Sequence, residues 1–206
     1  MYHENTHPLV KHKLTILRDA ATPQQLFREL ASELTMLIAY EAMRHLETTP
    51  VPVNTPLAGT IGCKIKNDIV IIPILRAGVG MLDGMLSLVP YARVGFVGMY
   101  RDQETKQPVP YYEKLPRDLK DPHFYVIDPM LATGRSIVAT IDSLKEKEFD
   151  TITVISLISS PEGIKTVEEA HPEVDIYTGS IDECLDENEY IIPGLGDAGD
   201  RLFGTK

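Results

Sequence analysis

The sequence predicts an α/β fold: a mostly parallel, open sheet flanked by helices, with a small hood-like β region and a flexible loop beside it. Three observations carry this. Apolar runs of strand length recur at 69–75, 92–99, 124–127, 151–159 and 174–179. Segments with helical apolar spacing lie between them, the alternation expected of parallel strands joined by crossover helices. The run IVIIPIL at 69–75 is almost wholly apolar, which fits a central strand covered on both faces.

Taken in order, the first thirteen residues (MYHENTHPLVKHK) read as a flexible or partner-packed arm. His3 and His7 have the i,i+4 spacing of helical metal ligands, and the arm is the preferred reading. Thr22-Pro23-Gln24-Gln25 reads as a helix start, with Thr22 as the cap, Pro23 first in the helix and Gln25 at the capping-box position. Leu26, Leu30, Leu34 and Leu37 follow at helical spacing, and Pro50 and Pro52 stop the helix near Leu46. Residues 51–68, broken by Pro52, Pro56, Gly59 and Gly62, read as short strands and turns of the flanking region. In the central strand Pro73 belongs near the end, because it has no N–H for the ladder.

The turn Arg76-Ala77-Gly78-Val79-Gly80 leads into a short helix carrying Met81, Leu82, Met85 and Leu86. The strand at 92–99 runs into Tyr100-Arg101. Residues 102–121 are polar, contain Pro108, Pro110 and Pro116, and are long for an internal connection, so they read as a lid-like loop. Tyr111 and Tyr112 there suit either a substrate contact or the anchoring of a hairpin. After 124–127 a helix is expected to run to about Glu148, followed by a strand at 151–159, a helix at 161–171 and a strand at 174–179. Residues 190–206 are Gly-rich and read as an irregular tail whose backbone lines a pocket. Gly194, Gly196 and Gly199 match a dinucleotide fingerprint by letter, but seven residues after Gly199 leave no room for the required helix and second strand. The 206 residues are expected to form a single domain, 1–206.

Composition removes several classes of function. A net charge of −10 argues against a broad nucleic-acid-binding face. No apolar run approaches the roughly 20 residues of a membrane span, and no apolar leader opens the chain. Cys63 and Cys184 cannot make a disulfide framework, so a cytoplasmic location is expected. No P-loop, nucleophile elbow or zinc-ligand cluster is present.

What remains is anion chemistry. An apolar strand ends at Asp128 and gives way to Pro129, Met130, Leu131 and a turn of small residues, Ala132, Thr133, Gly134, Arg135 and Ser136. A helix starting there offers free N–H groups and the positive end of its dipole, and Thr133 and Ser136 add hydroxyls, so the turn suits a phosphate. Arg76 in Arg-Ala-Gly makes a second anion-binding turn; its bland alternative is an ordinary strand–helix loop with a surface arginine. Arg101 ends a further strand. In an open parallel sheet these positions share the rim where ligands bind.

The Asp-Pro-Met-Leu-Ala-Thr-Gly run resembles the phosphoribosyl-diphosphate motif of the type I phosphoribosyltransferases, in the form used by their uracil branch. Ile74-Leu75-Arg76-Ala77-Gly78 resembles the diphosphate loop of that family. Gly98-Met99-Tyr100-Arg101 resembles the lead into its flexible loop, and residues 190–206 its uracil-binding C-terminus. The resemblance implies transfer of phosphoribose from 5-phospho-α-D-ribose 1-diphosphate to uracil, giving UMP and diphosphate. It implies Arg76, Arg101 and Asp128 as catalytic residues, with residues 129–136 and Asp197 on the phosphoribosyl donor. Ile191, Gly196, Asp197 and Ala198 are implied at the uracil. It also implies Mg²⁺ carried by the diphosphate with no direct protein ligand, GTP as a possible activator, and a homodimer or larger homo-oligomer. Pro129 leaves one acid where many type I enzymes have two, as in the uracil branch. Arg135 stands where that branch usually has glycine, and its side chain is expected to point away while its N–H serves the phosphate.

Three rivals remain. An mRNA-binding pyrimidine-operon regulator of the same fold also tolerates Thr-Gly-Arg, but fits neither the charge nor the tail. A purine or orotate phosphoribosyltransferase lacks such a tail. A non-catalytic α/β protein would need its anion-binding turns to align by accident.

Overall fold

The computed structural model describes residues 1–101 and 108–205, with Arg101 described in its backbone only. The chain opens with β1 (Tyr2–Glu4), α1 (Pro8–Arg18) and α2 (Gln24–Ala42), then a hairpin of β2 (Thr48–Asn54) and β3 (Gly59–Ile65). Next come β4 (Ile69–Leu75), α3 (Val79–Leu88), β5 (Arg93–Val94), β6 (Phe96–Arg101), β7 (Pro108–Lys114), β8 (His123–Ile127), β9 (Met130–Leu131) and α4 (Arg135–Lys145). The last elements are β10 (Ile152–Ser156), β11 (Ile158–Ser159), α5 (Pro161–Ala170), β12 (Asp175–Thr178), β13 (Cys184–Leu185), β14 (Ile191–Ile192) and α6 (Ala198–Phe203). The main sheet has the order β1-β12-β10-β8-β4-β6-β7, with β5 also on β4. Only the β6–β7 pair in it is antiparallel.

β4 shows why its sequence is apolar at every position. Ile69 and Ile71 enter a core shared with α1, α2, α3 and α6, while Val70 and Ile72 enter a second core shared with α4 and α5. β8 divides the same way, with Tyr125 and Ile127 on the first side and Phe124 and Val126 on the second. The period-two alternation is therefore between two apolar destinations. The β4–β8 ladder ends at Pro73, opposite Ile127, where a missing N–H costs least.

Several local expectations change. The N-terminal arm is an edge strand on β12 followed by a helix: His7 Nδ1 accepts from Leu9 N–H, Pro8 starts α1, and Val10, Leu14 and Leu17 are buried. Thr22 does not cap α2; its hydroxyl donates to Ile16 O, and Pro23 takes the capping position. α2 stops at Ala42, earlier than Leu46. Of the expected lid, 108–114 is strand β7 paired antiparallel with β6 and carries Tyr111 and Tyr112, and 102–107 lie outside the described residues. α4 ends at Lys145 rather than near Glu148. The tail is more regular than expected, with β14 paired to β13 and α6 beyond it.

Candidate active site

The donor-type loop grows out of β8. Asp128 follows Ile127, and the carbonyl of Pro129 accepts from the N–H groups of Leu157 (3.1 Å) and Ile158 (3.2 Å). Met130 and Leu131 then pair with Ile158 and Ser159 in a short parallel ladder that continues past the main sheet. Behind the loop Ser160 caps α5, accepting from Gly163 N–H (2.9 Å), while its hydroxyl donates to Ala132 O (2.6 Å). Gly163 lies so close that a Cβ there would stand 2.2 Å from Ala132 O. Gly134 turns the chain at φ +78°, a left-handed conformation that glycine adopts without penalty, and α4 begins at Arg135.

The N–H groups of the first turn of α4 have no intrahelical acceptor, and the helix dipole adds positive potential there. A hollow of about 90 Å³ lies at that end, lined by Asp128, Ala132, Thr133, Gly134 and Ser136 among others. Asp128 keeps part of its surface on the hollow. Burial pushes its carboxyl up to about 7, opposed by the Met130 N–H at 3.4 Å, which favours the charged form.

The Arg76 turn packs against the same strand end. The Leu75–Arg76 peptide is cis, and Gly78 N–H returns to Ile74 O at 2.9 Å. A Cβ on Gly78 would stand 2.6 Å from Ile127 O, one residue before Asp128, so only glycine allows this approach. Arg76 is exposed. Leu75 pairs with Gly98, which sets the ends of β4 and β6 side by side; the Arg101 side chain lies outside the described residues.

The tail packs against the Arg76 turn. Gly194 and Gly196 have φ +63° and +77°. Asp197 is the cap of α6, its Oδ1 accepting from Asp200 N–H at 2.9 Å, so one of its oxygens already has a structural partner. A Cβ on Gly199 would lie 3.3 Å from Asp197 Oδ1 and 3.9 Å from Arg76 Nη2, which places α6 directly against the Arg76 turn. On the opposite flank Arg135 Nη2 donates to Glu189 Oε1 at 2.9 Å. The guanidinium thus reaches toward the residues before the tail. Pairwise contacts bring these stretches to the carboxyl rim of the sheet: Gly78 against Ile127, Gly199 against Arg76, and Arg135 on Glu189. A separate hollow of about 280 Å³ lies at the tail, lined by Gly196, Asp197, Asp200, Arg201 and Gly204, and two of about 460 Å³ lie elsewhere, one lined by His3 and Arg44, the other by Tyr40, Met43 and Tyr91. Neither gathers the anion-binding turns.

His3 stacks on Tyr177 at 4.4 Å while His7 caps α1, so the metal-ligand alternative for this pair has no geometry behind it. Sequence reasoning misses Gly163, Ser160 and Glu189. Ser160-Pro161 carries a readable helix-start signature, but nothing local ties Glu189 to Arg135.

The chain matches a family model described as uracil phosphoribosyltransferase over residues 4–205. It is 54% identical over 202 residues to a uracil phosphoribosyltransferase of Streptococcus suis, covering 98% of this chain and 97% of that one. A Streptococcus pneumoniae protein of the same name is 53% identical over 201 residues, covering 97% of this chain and 96% of the relative. A solved structure from Aquifex aeolicus superposes with a TM-score of 0.95 at 38% identity, covering 100% of this chain and 99% of that one.

Proposed function

The chain belongs to the uracil phosphoribosyltransferase family, and from that membership we propose how these stretches divide the work. The reaction joins uracil to the phosphoribosyl group of 5-phospho-α-D-ribose 1-diphosphate, giving UMP and diphosphate in pyrimidine salvage. The observation supporting the division is the meeting of three separate stretches: Gly78 against Ile127, Gly199 against Arg76, and Arg135 on Glu189.

In this reading the 5′-phosphate rests on the N–H groups of residues 132–136, with the hydroxyls of Thr133 and Ser136 beside it. Asp128 accepts from the ribose hydroxyls and fixes the ring. Arg76 and Arg101 neutralise the diphosphate as it leaves, and Asp197 turns its remaining carboxylate oxygen to the donor. Mg²⁺ carried on the diphosphate supplies further charge neutralisation. The donor's own oxygens are its proposed ligands, as the family resemblance implies. N1 of uracil bonds to C1′ as the C1′–diphosphate bond breaks, and the N1 proton leaves with the departing diphosphate or to solvent. No protein nucleophile is required: positioning and preorganised charge lower the barrier. The backbone groups of Ile191, Gly196 and Ala198 read the uracil edge.

We propose a single catalytic domain that acts as a homodimer or larger homo-oligomer; the exposed Leu57 and Ile61 of the β2–β3 hairpin fit a subunit contact, which light scattering tests. No described helix is long and apolar enough to cross a membrane, and a cytoplasmic location remains the proposal. GTP activation rests on the family resemblance alone and is tested by assays with and without GTP. The primary test is labelled uracil with donor and Mg²⁺: UMP forms in the unmodified protein and falls at least about a hundredfold in Arg76→Ala. Full activity in that variant would remove Arg76 from the site.

A further inference from the structure

A base recognised by backbone groups cannot be selected by side chains that touch it; selection depends on where the backbone is held. We propose that Arg18 and Asp182 are positioning residues that clamp Gly194 and thereby set the base-reading tail. The inference rests on the reading that this tail seats uracil.

Arg18, the last residue of α1, lies 176 positions from Gly194 in sequence. Its Nη1 donates to Gly194 O at 2.7 Å and to Asp182 Oδ2 at 2.6 Å, and its Nη2 donates to Asp182 Oδ1 at 2.5 Å. Asp182 Oδ2 also accepts from Gly194 N–H at 3.0 Å, and Oδ1 accepts from the Ser180 hydroxyl at 3.1 Å. One bidentate ion pair therefore holds both backbone polar groups of Gly194, with the Asp182 side chain 2% exposed. Gly194 sits between Ile191 and Gly196, where a Cβ would stand 2.1 Å from Ile191 O. From the other side Arg201 Nη1 donates to Leu195 O at 2.8 Å and Nη2 to Asp19 O at 2.5 Å, with the guanidinium 4.3 Å above the Phe27 ring. The backbone at 194 and 195 is thus fastened to the end of α1 from both sides.

Burial pushes the Asp182 carboxyl up, but Arg18, the Gly194 N–H and the Ser180 hydroxyl together hold it below the usual carboxylate range. The pair is therefore charged at neutral pH. A buried ion pair is a weak stabiliser compared with apolar packing of the same volume. What this one supplies is a fixed position for the Gly194 peptide.

The test is steady-state kinetics of full-length Asp182→Asn and Arg18→Lys with both substrates varied. Hydrogen exchange of the unmodified protein with and without UMP accompanies it. The uracil KM is expected to rise about tenfold in each variant, while the donor KM stays within about twofold. A merely structural role would lower the active fraction and kcat and leave the two KM values in proportion. Should Asp182→Asn fail to fold, Arg18→Lys alone decides, since it keeps the charge and loses the fork. UMP is expected to protect the Gly196 and Ala198 amides. Lack of that protection overturns the tail reading and the clamp with it. Protection together with an unchanged uracil KM, or with both KM values rising together, overturns the clamp and leaves the tail reading standing.

Discussion

The donor loop and the tail are held in different ways. The donor loop grows directly from β8, and its supports come from the next β–α unit: Ser160 and Gly163 press on Ala132, and β11 pairs with β9. The tail has no strand of the main sheet beneath it, since β14 pairs only with β13. It is held instead by Arg18 from α1 and its own Arg201 reaching back to Asp19, while Arg135 from α4 pairs with Glu189 just before it. The loop's supports are thus local in sequence and the tail's long-range. Damage to a donor support should appear in donor binding, whereas damage to a tail support should appear in the base.

The largest effect is expected at Asp128. In Asp128→Asn, kcat/KM for the donor should fall about a hundredfold or more, because ribose hydroxyls lose a charged acceptor. In the unmodified enzyme that constant should rise with pH through about 7 as Asp128 ionises, and the limb should vanish in the variant. Stability runs the opposite way. The raised pKa means that Asp128 contributes stability fully below its ordinary value of 3.8, and that this contribution is lost as pH rises through about 7. Thermal melts at pH 8 should therefore show the inactive variant to be the more stable protein. An unchanged pH profile in Asp128→Asn would assign the limb to another group.

Next comes Gly163→Ala, whose Cβ would stand 2.2 Å from Ala132 O. Displacing the loop should cost about 1–3 kcal/mol of stability by denaturant titration. It should also weaken donor binding, read by calorimetry, more than it changes the uracil KM. Equal losses on both substrates would erase the distinction between loop and tail. On the base side, cytosine places an amino group where uracil has a carbonyl, so a donor would face a donor. Leaving those groups unpaired costs about 1–3 kcal/mol, so kcat/KM for cytosine should be roughly tenfold to a hundredfold lower, and comparable turnover would refute the backbone-edge account. The smallest effect is expected for Arg135→Gly. Its partly exposed pair with Glu189 is of the class that contributes about 0.2–1 kcal/mol, so donor affinity should shift less than about fivefold. A larger loss of donor affinity would show that the guanidinium binds phosphate directly.

The same division explains how much of the molecule is legible in the sequence. Strand runs, the small-residue turn after Asp128 and the glycine of Arg76-Ala77-Gly78 are read from neighbours, because their physics is local: burial on two faces, a helix start, a close backbone approach. Ser160 is overlooked, although a capping serine before Pro161 is a local signal. Val10, Leu14 and Leu17 form a helical stripe that begins in the supposed arm and runs past it, but the His7 cap that starts the helix belongs to no common capping residue type. The Arg18–Asp182 pair spans 164 positions, and no spacing rule connects them. α6 is hidden for another reason: six residues with Gly199 inside have little helical propensity, and long-range contacts hold them, Leu202 packing against Gly80 while its carbonyl accepts from Gln24 and Arg28.

A crystal structure of the UMP complex would show whether the donor loop and the tail seat one nucleotide. The phosphate is expected within hydrogen-bonding distance of the 132–136 N–H groups, the ribose hydroxyls on Asp128, and the uracil edge on the backbone of Ile191, Gly196 and Ala198. A nucleotide bound with its phosphate on the 132–136 loop but its base turned away from residues 191–198 would contradict that placement.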